Sequence, residues 1–165
     1  MNYERKWTDS RNAVGFAAEC ARLALPFYSG DRRSDLVVAI EIAERYTSGE
    51  QIDDSTRIAA LAAARGVASG VDDASAACAA AARAAAYAAA RATAHYTSDA
   101  IRATAVFAAD YADDAGVDYS EIQIAFARWV VRDLSVDRDL DEELRQAAGA
   151  AVVAGDEALA RELLG

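Results

Sequence analysis

Between Ala74 and Ala94 alanine fills most positions of the chain, and this segment restricts the fold more than any other. Alanine has the highest helix propensity, so the segment reads as a helix; each methyl buries little area, so its packing must come from closeness rather than bulk. Small side chains let neighbouring axes approach the lower end of the usual range of about 8 to 10 Å, which suits a helix surrounded by others. The segment does not read as a membrane span. Arg83 and Arg91 would each sit at membrane depth, at about 3 kcal/mol apiece.

Elsewhere the chain is punctuated by glycine followed closely by aspartate. Gly30, Gly49, Gly70, Gly116 and Gly155 each close an apolar-periodic stretch, and Asp31, Asp53, Asp72, Asp118 and Asp156 follow as N-caps or first-turn carboxylates. The spacing predicts helices over about Ser10 to Tyr28, ended or kinked by Pro26, then Ser34 to Thr47 and Ser55 to Ser69. A fourth runs from Asp72 or Asp73 to as far as Tyr96. A fifth starts at Ser98 with Ile101, Val106 and Phe107 inward. The sixth, Tyr119 to Leu134, is amphipathic through Ile122, Ile124, Phe126, Trp129 and Val130. Two shorter helices follow, over about Asp139 to Val153 and Asp156 to Leu164. No alternating β-branched pattern marks a strand. The expected fold is therefore all-α, a compact bundle of seven to eight helices with short loops around the alanine-rich helix, in a single domain over residues 1–165.

A chain of 165 residues with 54% apolar residues can bury a core without staples, so Cys20 and Cys78 read as buried thiols. Residues Met1 to Trp7 carry Glu4, Arg5 and Lys6 and no apolar run, which predicts no secretory signal and a soluble, cytoplasmic protein. The net charge of −10 and a pI near 4.5 argue against nucleic acid as a partner, because phosphate binding needs clustered Lys and Arg. Such a surface suits a basic partner, or serves solubility alone.

Arg83, Tyr87, Arg91 and His95 recur every four residues. Four residues advance about 400°, so the stripe drifts about 40° per step and stays on one side of the helix. Two readings are open for it. It is a boundary face, with the arginines paired to neighbouring acids or stacked on Tyr87, or it is the floor of a polar groove that takes a ligand. Asp99 lies four residues beyond His95, the only histidine, and shares its face if the helix continues. A hydrogen-bonded imidazole follows from that pair; a metal site does not, since zinc wants four ligands. Asp110, Asp113, Asp114 and Asp118 form an acidic cluster, and Asp137 to Glu143 a second. Neither has the spacing of a calcium loop. Acids at a helix C-terminus oppose the dipole, so the first cluster is the candidate contact for a basic partner. No nucleophile elbow, phosphate loop or dinucleotide fingerprint is present, so no catalytic residue, cofactor or metal is assigned.

These residues carry a resemblance. Cys20-Ala21-Arg22 leading to Leu25-Pro26-Phe27-Tyr28, then Asp31-Arg32-Arg33, Ala39-Ile40-Glu41 and Tyr46 before Gly49-Glu50, resembles the start of the alanine-rich immunity proteins of bacterial polymorphic toxin systems. The run from Ala81-Ala82-Arg83 to Thr93-Ala94-His95 is similar to that family's second landmark, and the likeness covers about residues 12 to 112. Where the family has a second histidine this chain has Asp99. The resemblance implies an all-α fold and neutralisation of a cognate protein toxin by binding. Two other readings stand beside it. One is a small-molecule or metal-binding enzyme with its site along Arg83, Tyr87, Arg91, His95 and Asp99. The other is a scaffold that forms homo-oligomers through faces such as Trp129 and Val130.

Overall fold

The computed structural model describes residues 2–66, 72–94, 96–136 and 138–165. Its described elements are eight α-helices and a 3-10 turn: α1 Ser10–Ala24, the turn Leu25–Phe27, α2 Arg33–Thr47, α3 Asp54–Gly66, α4 Asp73–Thr93, α5 Ser98–Ala115, α6 Tyr119–Leu134, α7 Glu142–Val153 and α8 Glu157–Leu164. The all-α expectation holds. Among the described residues no helix is long and apolar enough to cross a membrane.

Most helix ends follow the local chemistry. Asp9, Asp72, Asp118, Asp141 and Asp156 each stand before a helix and accept a hydrogen bond from a backbone N–H of its first turn. Asp53 accepts from the N–H of Thr56 at 2.7 Å in the same way. Pro26 ends α1, turning its last residues into the 3-10 turn. Gly116 closes α5 in the left-handed region, at φ 107°. Two punctuation marks differ: Gly30 follows the 3-10 turn rather than a helix, and Asp31 is not a cap, since Arg32 precedes α2 without a side-chain bond. Gly70 lies outside the described residues.

The alanine helix occupies the centre. It packs against α1, α2, α3 and α5, and 13 of its 21 residues are buried. Ala84, Ala85 and Ala86 are all buried in succession, so burial runs around the helix rather than along one stripe. Above it, Tyr3, Trp7, Phe16 and Phe126 form an aromatic knot, with ring centroids 5.2 to 6.3 Å apart in tilted and edge-on pairs. Cys20 and Cys78 are both buried and unpaired, and burial raises the pKa of each thiol, that of Cys78 to about 11.

At Gly15, α1 lies directly against Trp129 of α6. A Cβ at this position would overlap the Trp129 indole, whose Nε1–H donates to Glu19 Oε2 at 2.6 Å. Gly15→Ala is expected to lower unfolding free energy by about 2 kcal/mol, despite the better helix propensity of alanine. A urea titration followed by tryptophan emission reads both the loss and the displaced indole. An unchanged midpoint and spectrum would show that the contact yields freely.

Candidate functional site

Two members of the α4 stripe, Tyr87 and Arg91, are engaged by side chains of neighbouring helices. Arg65 of α3 donates through Nε and Nη2 to the Tyr87 hydroxyl, the first at 2.9 Å, and the guanidinium carbons of Arg65 and Arg91 lie 5.4 and 5.7 Å from the Tyr87 ring centroid. Arg91 also donates to Thr104 Oγ1 on α5. Of the two arginines in the boundary-face reading, Arg91 stacks on Tyr87, and Arg65 of α3 is the second cation on that ring. The expected pairing with acids is not seen: among the described residues neither Arg83 nor Arg91 reaches a carboxylate.

His95 lies outside the described residues. Its proposed partner is not on the same helix, because α4 stops at Thr93 and α5 starts at Ser98, with Asp99 in the new first turn. Thr97 imposes that start by accepting from the Ala100 N–H, and Thr93 turns its hydroxyl back to the carbonyls of Ala89 and Ala90. Asp99 is exposed beside Arg102, at 3.4 Å. The face expected to mediate self-association is not free either: Val130 is fully buried and Trp129 is held against Gly15 and Glu19.

The first acidic cluster divides. Asp118 is the cap of α6, and hydrogen bonds from the hydroxyl and N–H of Ser120 lower its pKa. Asp110, Asp113 and Asp114 belong to the last two turns of α5, which has no basic residue there, and none of them forms an ion pair among the described residues. Burial first, then the charges of Asp114 and Asp113, raise the pKa of Asp110. Phe107, expected inward, is instead 52% exposed and shares a stripe with Asp110 and Asp114, three and seven residues on. Phe107 turns outward because the inner face of α5 is filled by Thr104, Ala105, Ala108 and Ala112, whose small side chains allow no room beneath a ring so close to α4.

A cleft of about 180 Å³ opens beside this stripe, lined by Asn2, Tyr3, Val106, Asp110, Asp113 and Tyr119 among others. The Tyr3 hydroxyl is buried and makes no hydrogen bond among the described residues. Burial, followed by the negative potential of Cys20, Asp113 and Asp110, pushes its phenol up to about 12. Tyr3, with its buried neutral O–H, and two carboxylates thus converge on one small cleft. That arrangement accepts hydrogen bonds from a cationic group such as a guanidinium or ammonium. The contributions of Tyr3 and Tyr119 were not legible in the sequence, since Tyr3 reaches α5 and α6 only through the fold.

Together these features define an all-α protein with a close-packed alanine centre and an acidic, aromatic surface beside a small cleft. Comparison with protein-family models, curated proteins and solved structures found no match for the chain.

Proposed function

We propose that the chain is a non-catalytic binding protein of the immunity type, which neutralises a cognate basic toxin by docking it on the face formed by Phe107, Asp110, Asp113, Asp114 and Tyr119. The observation that carries this reading is the cleft at Tyr3. Two carboxylates that line it, Asp110 and Asp113, stand without ion pairs among the described residues where the α5 dipole disfavours them, beside a buried hydroxyl with no hydrogen bond among those residues. An arginine or lysine of a partner offsets all three penalties at once. A net charge of −10 speeds encounter with a basic protein, and the speed falls as salt rises. The resemblance to immunity proteins supplies the kind of partner.

The test is titration of the purified protein with the toxin domain encoded beside it. Asp110→Lys/Asp113→Lys is expected to weaken the complex about 30-fold or more. Thermal stability should hold or rise, because like charges are removed from a helix C-terminus. A neighbouring product that is neither bound nor neutralised would overturn the reading, as would undiminished affinity of the double variant.

A further inference from the structure

A second groove lies between α6 and α7, with a volume of about 960 Å³. Its α6 wall carries Ile124, Arg128, Val131 and Ser135, and its α7 wall carries Glu142, Arg145, Gly149 and Val153. Both series advance by three or four residues over eleven, so each wall is a straight stripe about 16 Å long, three helical turns. Leu140 forms part of the lining and is itself buried, whereas Ile124 at 54% and Val153 at 38% leave apolar surface open to solvent.

The rim has the opposite charge to the molecule. Arg128, Arg132, Arg138 and Arg145 border the groove against a single carboxylate, Glu142, in a chain of net charge −10. Arg128 is engaged by Glu19, and Arg138 by the terminal carbonyls of Leu164 and Gly165. The other two have charge to spare. Arg132 stacks on the Trp129 ring at 5.0 Å and forms no ion pair among the described residues, and Arg145 has its nearest carboxylates only at 3.9 and 4.0 Å. These two belong to opposite walls.

Gly149 adds an independent observation. It sits inside α7, where glycine is less stable than alanine by about 1 kcal/mol, yet a Cβ at this position would meet nothing within 4 Å. Packing does not require the glycine. Its effect is to leave the α7 wall bare at the groove.

We infer that the α6–α7 groove binds an acidic amphipathic helix of a partner protein, whose apolar ridge fills the trough while acids on both its flanks meet Arg132 and Arg145. The distribution of charge selects this occupant. A single-headed amphiphile such as a fatty acid would use a cation at one end, whereas here guanidinium groups stand on both walls, Arg128 and Arg132 on α6 and Arg145 on α7. Anchors at i, i+3 or i+4, and i+7 match a trough of that length. The groove shares no residue with the acidic face, so the inference stands independently of the toxin-binding reading.

The test uses the full-length protein and a fluorescein-labelled 18-residue helical peptide with leucines at i, i+3, i+4 and i+7 flanked by glutamates, against an isomer with lysines for glutamates. Anisotropy is expected to show the glutamate peptide binding at least tenfold more tightly, with an accompanying change in Trp129 emission. Gly149→Leu should weaken that binding at least tenfold, and Arg132→Glu/Arg145→Glu should reverse the preference. Gly149→Ala, which adds one methyl, should retain affinity within a few-fold. The charge-reversal variant decides the matter if the leucine variant melts early. Equal binding of the two peptides would overturn the inference, as would affinity indifferent to both variants. So would stoichiometric binding of sodium dodecanoate without peptide binding, or a homodimer abolished by the charge reversal.

Discussion

Asp133→Ala is expected to lower the unfolding free energy by about 4 kcal/mol, the largest loss from any single polar substitution in this protein. Asp133 is 1% exposed on α6, yet its carboxylate is fully engaged. It accepts from Arg5 Nη1 at 2.8 Å, the N–H groups of Thr8 and Asp9 at 2.9 Å each, and Asn12 Nδ2 at 2.8 Å. Burial alone would raise its pKa, but the Thr8 and Asp9 N–H groups, the Asn12 amide and the Arg5 charge hold it below the ordinary carboxylate range. Removing it strands the buried Arg5 guanidinium, whose remaining contacts are Glu157 at 3.0 Å and the Trp7 ring at 4.6 Å. A depressed folded-state pKa contributes stability above the unfolded value and loses it as pH falls through the folded one. Asp133→Asn should therefore flatten the acid limb of a stability profile measured by urea titration. A wild-type acid limb in that variant would remove Asp133 from its cause.

The same substitution has a functional consequence. Asp133 fastens the segment from Arg5 to Asn12 onto α6, and Tyr3 reaches its cleft only while that segment is docked. Hydrogen exchange should show early opening at residues 2–9, and under the proposed immunity function affinity for the toxin should fall even though no contact residue has changed.

Ala85→Leu is expected to destabilise the protein by about 3 kcal/mol, the second largest effect. Ala85 is fully buried on α4, with Ala81, Ala82 and Ala88 equally so, and four helices close around it. Three extra carbons have little void to enter, because Ala85 is fully buried in a closely packed centre where its own side chain is a single methyl. Ala80→Leu, at a half-buried position of the same helix, should change stability by less than a third as much. Calorimetry of the two variants checks the difference. Equal midpoints would mean that α4 is less closely packed than its burial indicates.

What could be read in advance was local. Asp72, Asp118 and Asp156 cap helices because a carboxylate reaches an N–H two or three residues ahead, and Pro26 ends α1 because it lacks an N–H. Such signals act within a turn of helix, so element order and most boundaries follow from residue order alone. The break between Thr93 and Ser98 belongs to the same code. The start at Ser98 was legible from it, whereas the alanine run carried the expected end of α4 as far as Tyr96, three residues beyond Thr93.

The sequence by itself therefore determined that this protein is a set of helices around an alanine centre, and where those helices begin. Tertiary structure alone decided which faces meet. A helix of alanines is nearly equivalent around its axis, so no dominant stripe tells its neighbours how to dock, and Phe107 turned outward while Gly15 met Trp129. Sites built by docking were equally hidden. Tyr3 joins Asp110 across more than a hundred residues, and Arg132 faces Arg145 only because α7 lies beside α6. Helix formation is set by interactions within four residues, whereas these surfaces depend on long-range packing that no local pattern encodes.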